Sequence, residues 1–307
     1  MLIDAPAPID LPRTLGAFRT GRADPSMRLH GSTAWRATRT PDGPATVQIV
    51  ATDALDGQLA TRFAARAWGP GADWALERVG ALLGVLDAPE TFVPADALVR
   101  ELHRRNPGVR FGRSDCVVEG LVPTILEQKV TTIEARRSWR ALCRAHGEPA
   151  PGPASADGLR LRPDPARLAE LRYPDFHGWG VERRRAETIV GVCRRATALE
   201  RLVHDCPDAV AFRAALESVP GIGAWSSAIT AQQALGDPDS VVVGDYHLPN
   251  MVAWNLAGEP RADDARMLEL LEPYRGHRAR VVRLLGGAGQ HAPRCGPKKR
   301  LRSIATI

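Results

Sequence analysis

No two of the five cysteines, Cys116, Cys143, Cys193, Cys206 and Cys295, stand two to four residues apart. A zinc knuckle needs such pairs, so none is expected. An iron–sulfur cluster takes four thiolates, and Cys295 stands alone near the C-terminal end, so no cluster is expected. An odd set of scattered thiols reads as reduced and mostly buried. No run of about 18 apolar residues occurs, which argues against a membrane-spanning helix. Residues 1–12 hold two Asp and no basic residue before Arg13. They lack the positive start of a secretory signal, and a cytoplasmic location is expected. No repeat period is visible.

What is present is ordinary for a globular protein: 44% apolar and 25% charged residues. A length of 307 residues lies at the upper edge of what one core serves, so two domains are expected. The formal net charge of +6 favours an anionic partner. The end of the chain, residues 291–307, reads as a basic tail containing Lys298, Lys299, Arg300 and Arg302. Such a tail contacts phosphates or simply keeps the chain soluble.

The pattern is α+β. Residues 1–95 read as a β-rich domain. Ser32 to Thr40 alternates, Pro41-Asp-Gly-Pro44 is a turn, Ala45 to Ala51 is a second strand, and Gln58 to Ala65 is a third. Asp73 reads as an N-cap for a helix over Trp74 to Leu86. Residues 96–290 read as all-α, with helices over Asp96–Arg105, Asp115–Gln128, Thr131–His146, Pro165–Leu171, Val181–Leu199 and Asp208–Val219. Four more cover Ala224–Leu235, His247–Leu256, Ala262–Glu272 and Gly276–Gly286.

Between two of these helices lies Val219-Pro220-Gly221-Ile222-Gly223. Glycines at such a turn permit positive φ and let backbone N–H groups approach an anion. The N–H groups of Gly221, Gly223 and Ala224 stand at the start of the next helix, where the dipole adds attraction. That arrangement grips phosphate without reading base sequence. Asp245 follows Gly223 by 22 residues, at the start of another helix. Taken alone, it reads as an N-cap.

Together, Pro220-Gly-Ile-Gly223, the 22-residue step and Gly244-Asp245-Tyr246 resemble the helix–hairpin–helix DNA glycosylase superfamily. Within it the chain resembles the bacterial 3-methyladenine-DNA glycosylase II group. Leu121 to Thr131 resembles the segment that ends in a wedge inserted into DNA, with Gln128 and Lys129 at the tip. Trp179 to Ala186 resembles a stretch in which a basic pair precedes Ala-Glu. The resemblance implies an all-α glycosylase domain over residues 96–290, acting as a monomer on double-stranded DNA that contains a damaged base, in the nucleoid. It implies Asp245 as the catalytic residue, Trp225 and Tyr246 in the base pocket, and Gly221, Gly223, Ala224, Gln128 and Lys129 on the DNA. It also implies a monovalent cation, Na+ or K+, on the backbone carbonyls of Glu217, Val219 and Ile222, and no other cofactor. Members that also cut the strand carry a lysine two residues after the second hairpin glycine, where it forms a Schiff base. Trp225 holds that position here, so a monofunctional enzyme is implied.

The pattern departs at three points. Ile229 and Arg283 stand where the group has pocket aromatics, and Lys129 stands where the wedge is apolar or Gln. Three readings follow: a glycosylase for alkylated purines such as 3-methyladenine and 7-methylguanine, a glycosylase for another purine lesion, and a DNA-binding module without catalysis.

Overall fold

A computed structural model of the chain describes residues 1–53 and 59–293. Gln58, Cys295 and the basic run from Arg294 to Arg302 lie outside the described residues.

Five strands form one antiparallel sheet: β1 (Leu2–Asp10), β2 (Met27–His30), β3 (Thr33–Thr40), β4 (Gly43–Ala51) and β5 (Leu59–Trp68), in the order β1-β5-β4-β3-β2. Alternation predicts three of them. β1 escapes that reading because Pro6 and Pro8 interrupt it, and a proline cannot donate to a ladder. The strand is tolerated at the sheet edge, and its pairing with β5 slips between Asp4 and Ile9, where the prolines lie. The predicted turn is present, with Thr40 facing Gly43 across Pro41 and Asp42.

One face of the sheet packs Met27, Ala34, Val47, Ile49 and Phe63 against α1 (Leu11–Leu15) and two short helices. These are α2 (Ala72–Glu77) and α3 (Val79–Leu82), where a single longer helix was expected. The chain breaks at Arg78, with φ −98° and ψ 0°. Asp73 sits in the first turn of α2, and Gly71 is the N-cap.

The helical half begins with α4 (Ala97–Arg105), α5 (Val117–Glu127), α6 (Thr132–His146), α7 (Pro165–Glu170) and α8 (Tyr173–His177). It continues with α9 (Arg183–Arg194), α10 (Ala196–Asp205), α11 (Ala209–Glu217) and α12 (Ala224–Ala234). It ends with α13 (Leu248–Ala257), α14 (Asp264–Leu271) and α15 (Arg278–Ala288). The expected helix over Val181–Leu199 is split at Arg195, which leaves helical geometry at φ −105°, ψ 10°. Residues of α5 to α12 share one apolar core, and α4 joins α13, α14 and α15 in a second.

α5 is the pivot of the first core, packing on α6, α9, α10 and α12. It keeps its helix despite Pro123 in its interior. Proline there costs about 3 kcal/mol. Val118, Leu121, Val122, Ile125 and Leu126 are all buried on α5, and each contributes about 1.5–3 kcal/mol, so burial outweighs the break. Gly120 lets α12 come close, since a Cβ there would stand 2.8 Å from the Gln233 amide oxygen. Glu119, on the same helix, ties the helical half to the sheet through Arg36 at 2.5 Å and the Thr38 hydroxyl, with Arg162 of the helical half 3.4 Å away. Burial pushes this carboxyl up, but the two guanidiniums more than offset that and hold it below the usual range.

Candidate active site

The hairpin is anchored by its apolar residues and open at its glycines. Asp208 caps α11 by accepting the Ala211 N–H at 2.8 Å. After α11 the chain turns through Val219, whose carbonyl accepts the Ile222 N–H at 3.0 Å. Val219 and Ile222 are buried in the first helical core, while Pro220, Gly221 and Gly223 are exposed. The two glycines are there for different reasons. Gly221 has φ +89°, and a Cβ would stand 2.3 Å from the Thr188 hydroxyl of α9. Gly223 has an ordinary extended backbone at φ −121°, and a Cβ there would meet open space. Its missing side chain matters only to something approaching from outside. Among the described residues, no acceptor takes the N–H groups of Gly221, Gly223 or Ala224. They form an outward-facing donor set at the positive end of α12.

The segment that follows α5 is joined to this turn. The Gln128 amide donates to the Gly221 carbonyl at 3.1 Å and to the Ser226 hydroxyl at 3.0 Å. Lys129 follows, exposed and in left-handed geometry at φ +58°, which costs a residue with a Cβ about 1 kcal/mol or more. Thr131 then caps α6 in a reciprocal box with Glu134. The buried Arg185 of α9 holds the end of α5 in place, donating to the Leu126 carbonyl at 2.8 Å. The sequence reading placed a basic pair in this stretch without assigning Arg185 that role. Thr188, Ser226 and Arg185 support the site without having been singled out from sequence, because each acts through a contact distant along the chain.

Beyond α12, Val241 and Val242 are buried and carry the chain to the second helical core. Gly244 then turns with φ +81°, and its N–H is held by Asp264 at 2.8 Å. This loop delivers Asp245, half-buried, with its two oxygens doing different things. Oδ1 accepts the N–H groups of His247 at 2.7 Å and Leu248 at 3.0 Å, so Asp245 holds the entry to α13 from two residues before its N-cap, His247, and is not the N-cap itself. Oδ2 faces the half-buried indole of Trp225, whose Nε1 donates to it at 3.4 Å. The structure thus brings Asp245 and Trp225 together at the N-terminal end of α12. It does not bring Tyr246 into this group: that ring is 75% exposed and stands perpendicular to the ring of His247.

Ile229 is half-buried one turn along α12 from Trp225. Arg283 of α15 stacks on Phe111 at 3.5 Å and donates to the Arg110 carbonyl at 3.0 Å. Burial and the nearby Arg280 push its guanidinium down to about 10. Of the hairpin carbonyls, those of Glu217 and Ile222 accept no hydrogen bond outside the helices among the described residues, and that of Val219 accepts one. Backbone carbonyl oxygens without a hydrogen-bond partner are hard, uncharged donors of the kind a monovalent cation takes. The donors, the carboxylate and the aromatic face together can grip a phosphate, hold a planar cationic ring and stabilise positive charge beside it.

No protein-family model matches the chain. Over 168 residues it is 32% identical to a Mycobacterium tuberculosis protein described as a probable bifunctional transcriptional activator/DNA repair enzyme AlkA, taking in 53% of this chain. The match spans 33% of that relative's length. A 3-methyladenine DNA-glycosylase from Archaeoglobus fulgidus superposes with a TM-score of 0.76 at 18% identity, over 93% of this chain and 97% of that one. The chain shares the fold of that structure along nearly its whole length. An 8-oxoguanine glycosylase/lyase from Clostridium acetobutylicum shares the same glycosylase fold with a TM-score of 0.66 at 11% identity, over 93% and 98% of the two chains. No helix among the described residues is long and apolar enough to cross a membrane.

Proposed function

We propose that this chain is a monofunctional DNA glycosylase that removes alkylated purines, of the 3-methyladenine and 7-methylguanine kind, from double-stranded DNA. The observation that carries the reading is the pairing of Asp245 with Trp225 beside the open donor set of the hairpin. The hairpin N–H groups hold a phosphate of the damaged strand, and Gln128 and Lys129 stand where a flipped base leaves its gap. The Trp225 indole offers a face on which a cationic purine stacks.

Cleavage then needs little from the protein. The C1′–N bond breaks and the base takes the electron pair, which neutralises its own positive charge. Positive charge develops on the sugar, and the Asp245 carboxylate stabilises it. A water oxygen bonds to C1′, and its proton passes to Asp245 Oδ2 and on to solvent. Trp225 has no amine, so no Schiff base forms and the product is an intact strand with an abasic site. The carbonyls of Glu217, Val219 and Ile222 would hold a monovalent cation that adds positive potential at the hairpin.

The test is a panel of duplexes with single lesions, incubated with the protein and then treated with alkali. Release of methylated purines, with strand breaks appearing only after alkali, is the expected result. Breaks before alkali would replace this reading with a lyase. A second reading, DNA binding without catalysis, is favoured by the capping bonds of Asp245 Oδ1. It predicts that no lesion in the panel is released.

A further inference from the structure

A second basic surface lies apart from the hairpin. Between the sheet domain and α6 runs a groove of about 980 Å³, open to solvent. Its walls carry Arg19, Arg22, Arg28, Arg136, Arg144 and Arg160. Among the described residues, Asp24 is the one carboxylate in its lining, and that group is already committed. It is buried and accepts from the Thr20 and Ser26 N–H groups, the Ser26 hydroxyl and the Trp139 indole.

The arginines fall into two sets. Arg160 donates to the Cys143 and Gly147 carbonyls, Arg19 to the Gly21 carbonyl, and Arg28 pairs with Asp157 at 3.9 Å. These three are structural. Arg22, Arg136 and Arg144 have neither an ion pair nor a hydrogen bond among the described residues, and all three are exposed. Arg136, Arg140 and Arg144 also succeed one another at four-residue spacing on α6, so like charges stand one turn apart. A helix tolerates that stripe more readily with an anion along it.

Resting on the reading that the hairpin holds damaged DNA, we infer that this groove is a second DNA site, holding the phosphodiester backbone of the duplex that flanks the flipped base. Continuity supports the assignment. Gln128 is bonded to the hairpin, Lys129 and Thr131 follow it, and α6 leads from there into the groove. Arg136 and Arg144 lie about 12 Å apart along α6, a span of about three to four base-pair steps. Among the described residues, the groove lining holds no Phe, Tyr or Trp. Single strands are held by base stacking on such rings, so the lining suits a duplex backbone.

The experiment measures binding of the full chain to an undamaged duplex between about 50 and 200 mM salt. Undamaged DNA needs no catalysis, so the result is independent of base release. If the excision reading alone is wrong, methylated purine is not released while the groove effect persists. The triple variant Arg22→Ala, Arg136→Ala, Arg144→Ala is expected to bind on the order of 10–100-fold more weakly at low salt. Its log–log salt slope is expected to be smaller by about 2 to 3, at roughly 0.9 for each phosphate lost. The triple Lys variant at the same positions keeps the charges and should restore the slope. An unchanged slope in the Ala variant overturns the proposal. So does an equal loss in the Lys variant, which would trace the effect to arginine packing.

Discussion

The Trp225 indole nitrogen lies 3.4 Å from Oδ2 of Asp245, although 20 residues of chain separate them. The other oxygen of the same carboxylate holds the N–H groups of His247 and Leu248 at the entry to α13, so one side chain has a structural and a chemical half. Two substitutions separate the halves. Asn at position 245 keeps an oxygen for the His247 and Leu248 N–H groups and loses the charge. Asp245→Asn should therefore lower single-turnover base release by about 10²–10⁴-fold with an unchanged melting temperature. Asp245→Ala should lose as much activity and also about 1 kcal/mol of stability. Undiminished release by the Asn variant would reduce Asp245 to a cap.

On the proposed reading, Trp225 stands where a strand-cutting relative would carry its Schiff-base lysine. The wild-type protein should form no covalent adduct with DNA when borohydride is added during turnover, because Trp225 offers no amine to be trapped. Trp225→Ala should weaken binding of a cationic base, raising KM for methylated duplex by about 3- to 30-fold, while affinity for undamaged duplex stays close to wild type. An equal loss on both duplexes would place the indole in general DNA contact and remove it from the base pocket.

The hairpin and Asp245 were legible in sequence because each is a local pattern: a Pro-Gly-x-Gly turn between two helices, and an acid at a helix start. The contacts that make them a site were not. Arg185 reaches Leu126 across 59 residues and Gln128 reaches Gly221 across 93, and neither link leaves a local signal. β1 was hidden by Pro6 and Pro8, whose effect on pairing depends on whether the strand lies at an edge. The break at Arg195 was hidden because the apolar spacing continues on both sides of it. The basic groove was half legible: Arg136 and Arg144 are spaced for one helix face, but Arg22 comes from the sheet domain and joins them only in the fold.

The two hairpin glycines give opposite predictions. At Gly221 an alanine must adopt φ +89° and push aside Thr188, so Gly221→Ala should destabilise the fold by about 1–3 kcal/mol and weaken DNA binding as a consequence. At Gly223 the backbone is extended and the space open, so Gly223→Ala should leave stability within about 0.5 kcal/mol of wild type. Its methyl would still stand among the donors a phosphate must reach, and DNA affinity should fall about tenfold, or about 1.4 kcal/mol. Thermal melts and duplex titrations on the two variants check this. Wild-type affinity in Gly223→Ala would mean that no phosphate approaches the hairpin from that side.

The second helical core carries a pH dependence unrelated to catalysis. His277 accepts at Nδ1 from Arg280 Nε at 3.2 Å, and a guanidinium can only donate, so the ring's proton sits on Nε2 beside the Thr91 hydroxyl at 3.0 Å. Adding a second proton would break the Arg280 bond and set a cation against the guanidinium that pairs with buried Asp87. Burial, with Arg280 adding to it, holds both His277 and the nearby His103 below the ordinary histidine value. A group depressed in the folded state binds fewer protons there than in the unfolded chain. Its stabilising contribution is complete above the unfolded value of about 6.5 and is lost as the pH falls toward the folded one. The melting temperature should thus drop between about pH 7 and pH 5. Glu127 and Glu200, pushed up by burial, act in the opposite direction, so the histidine effect is read by comparison with a variant. His277→Gln should flatten the profile across that interval. Parallel profiles for the two proteins would remove His277 as the cause.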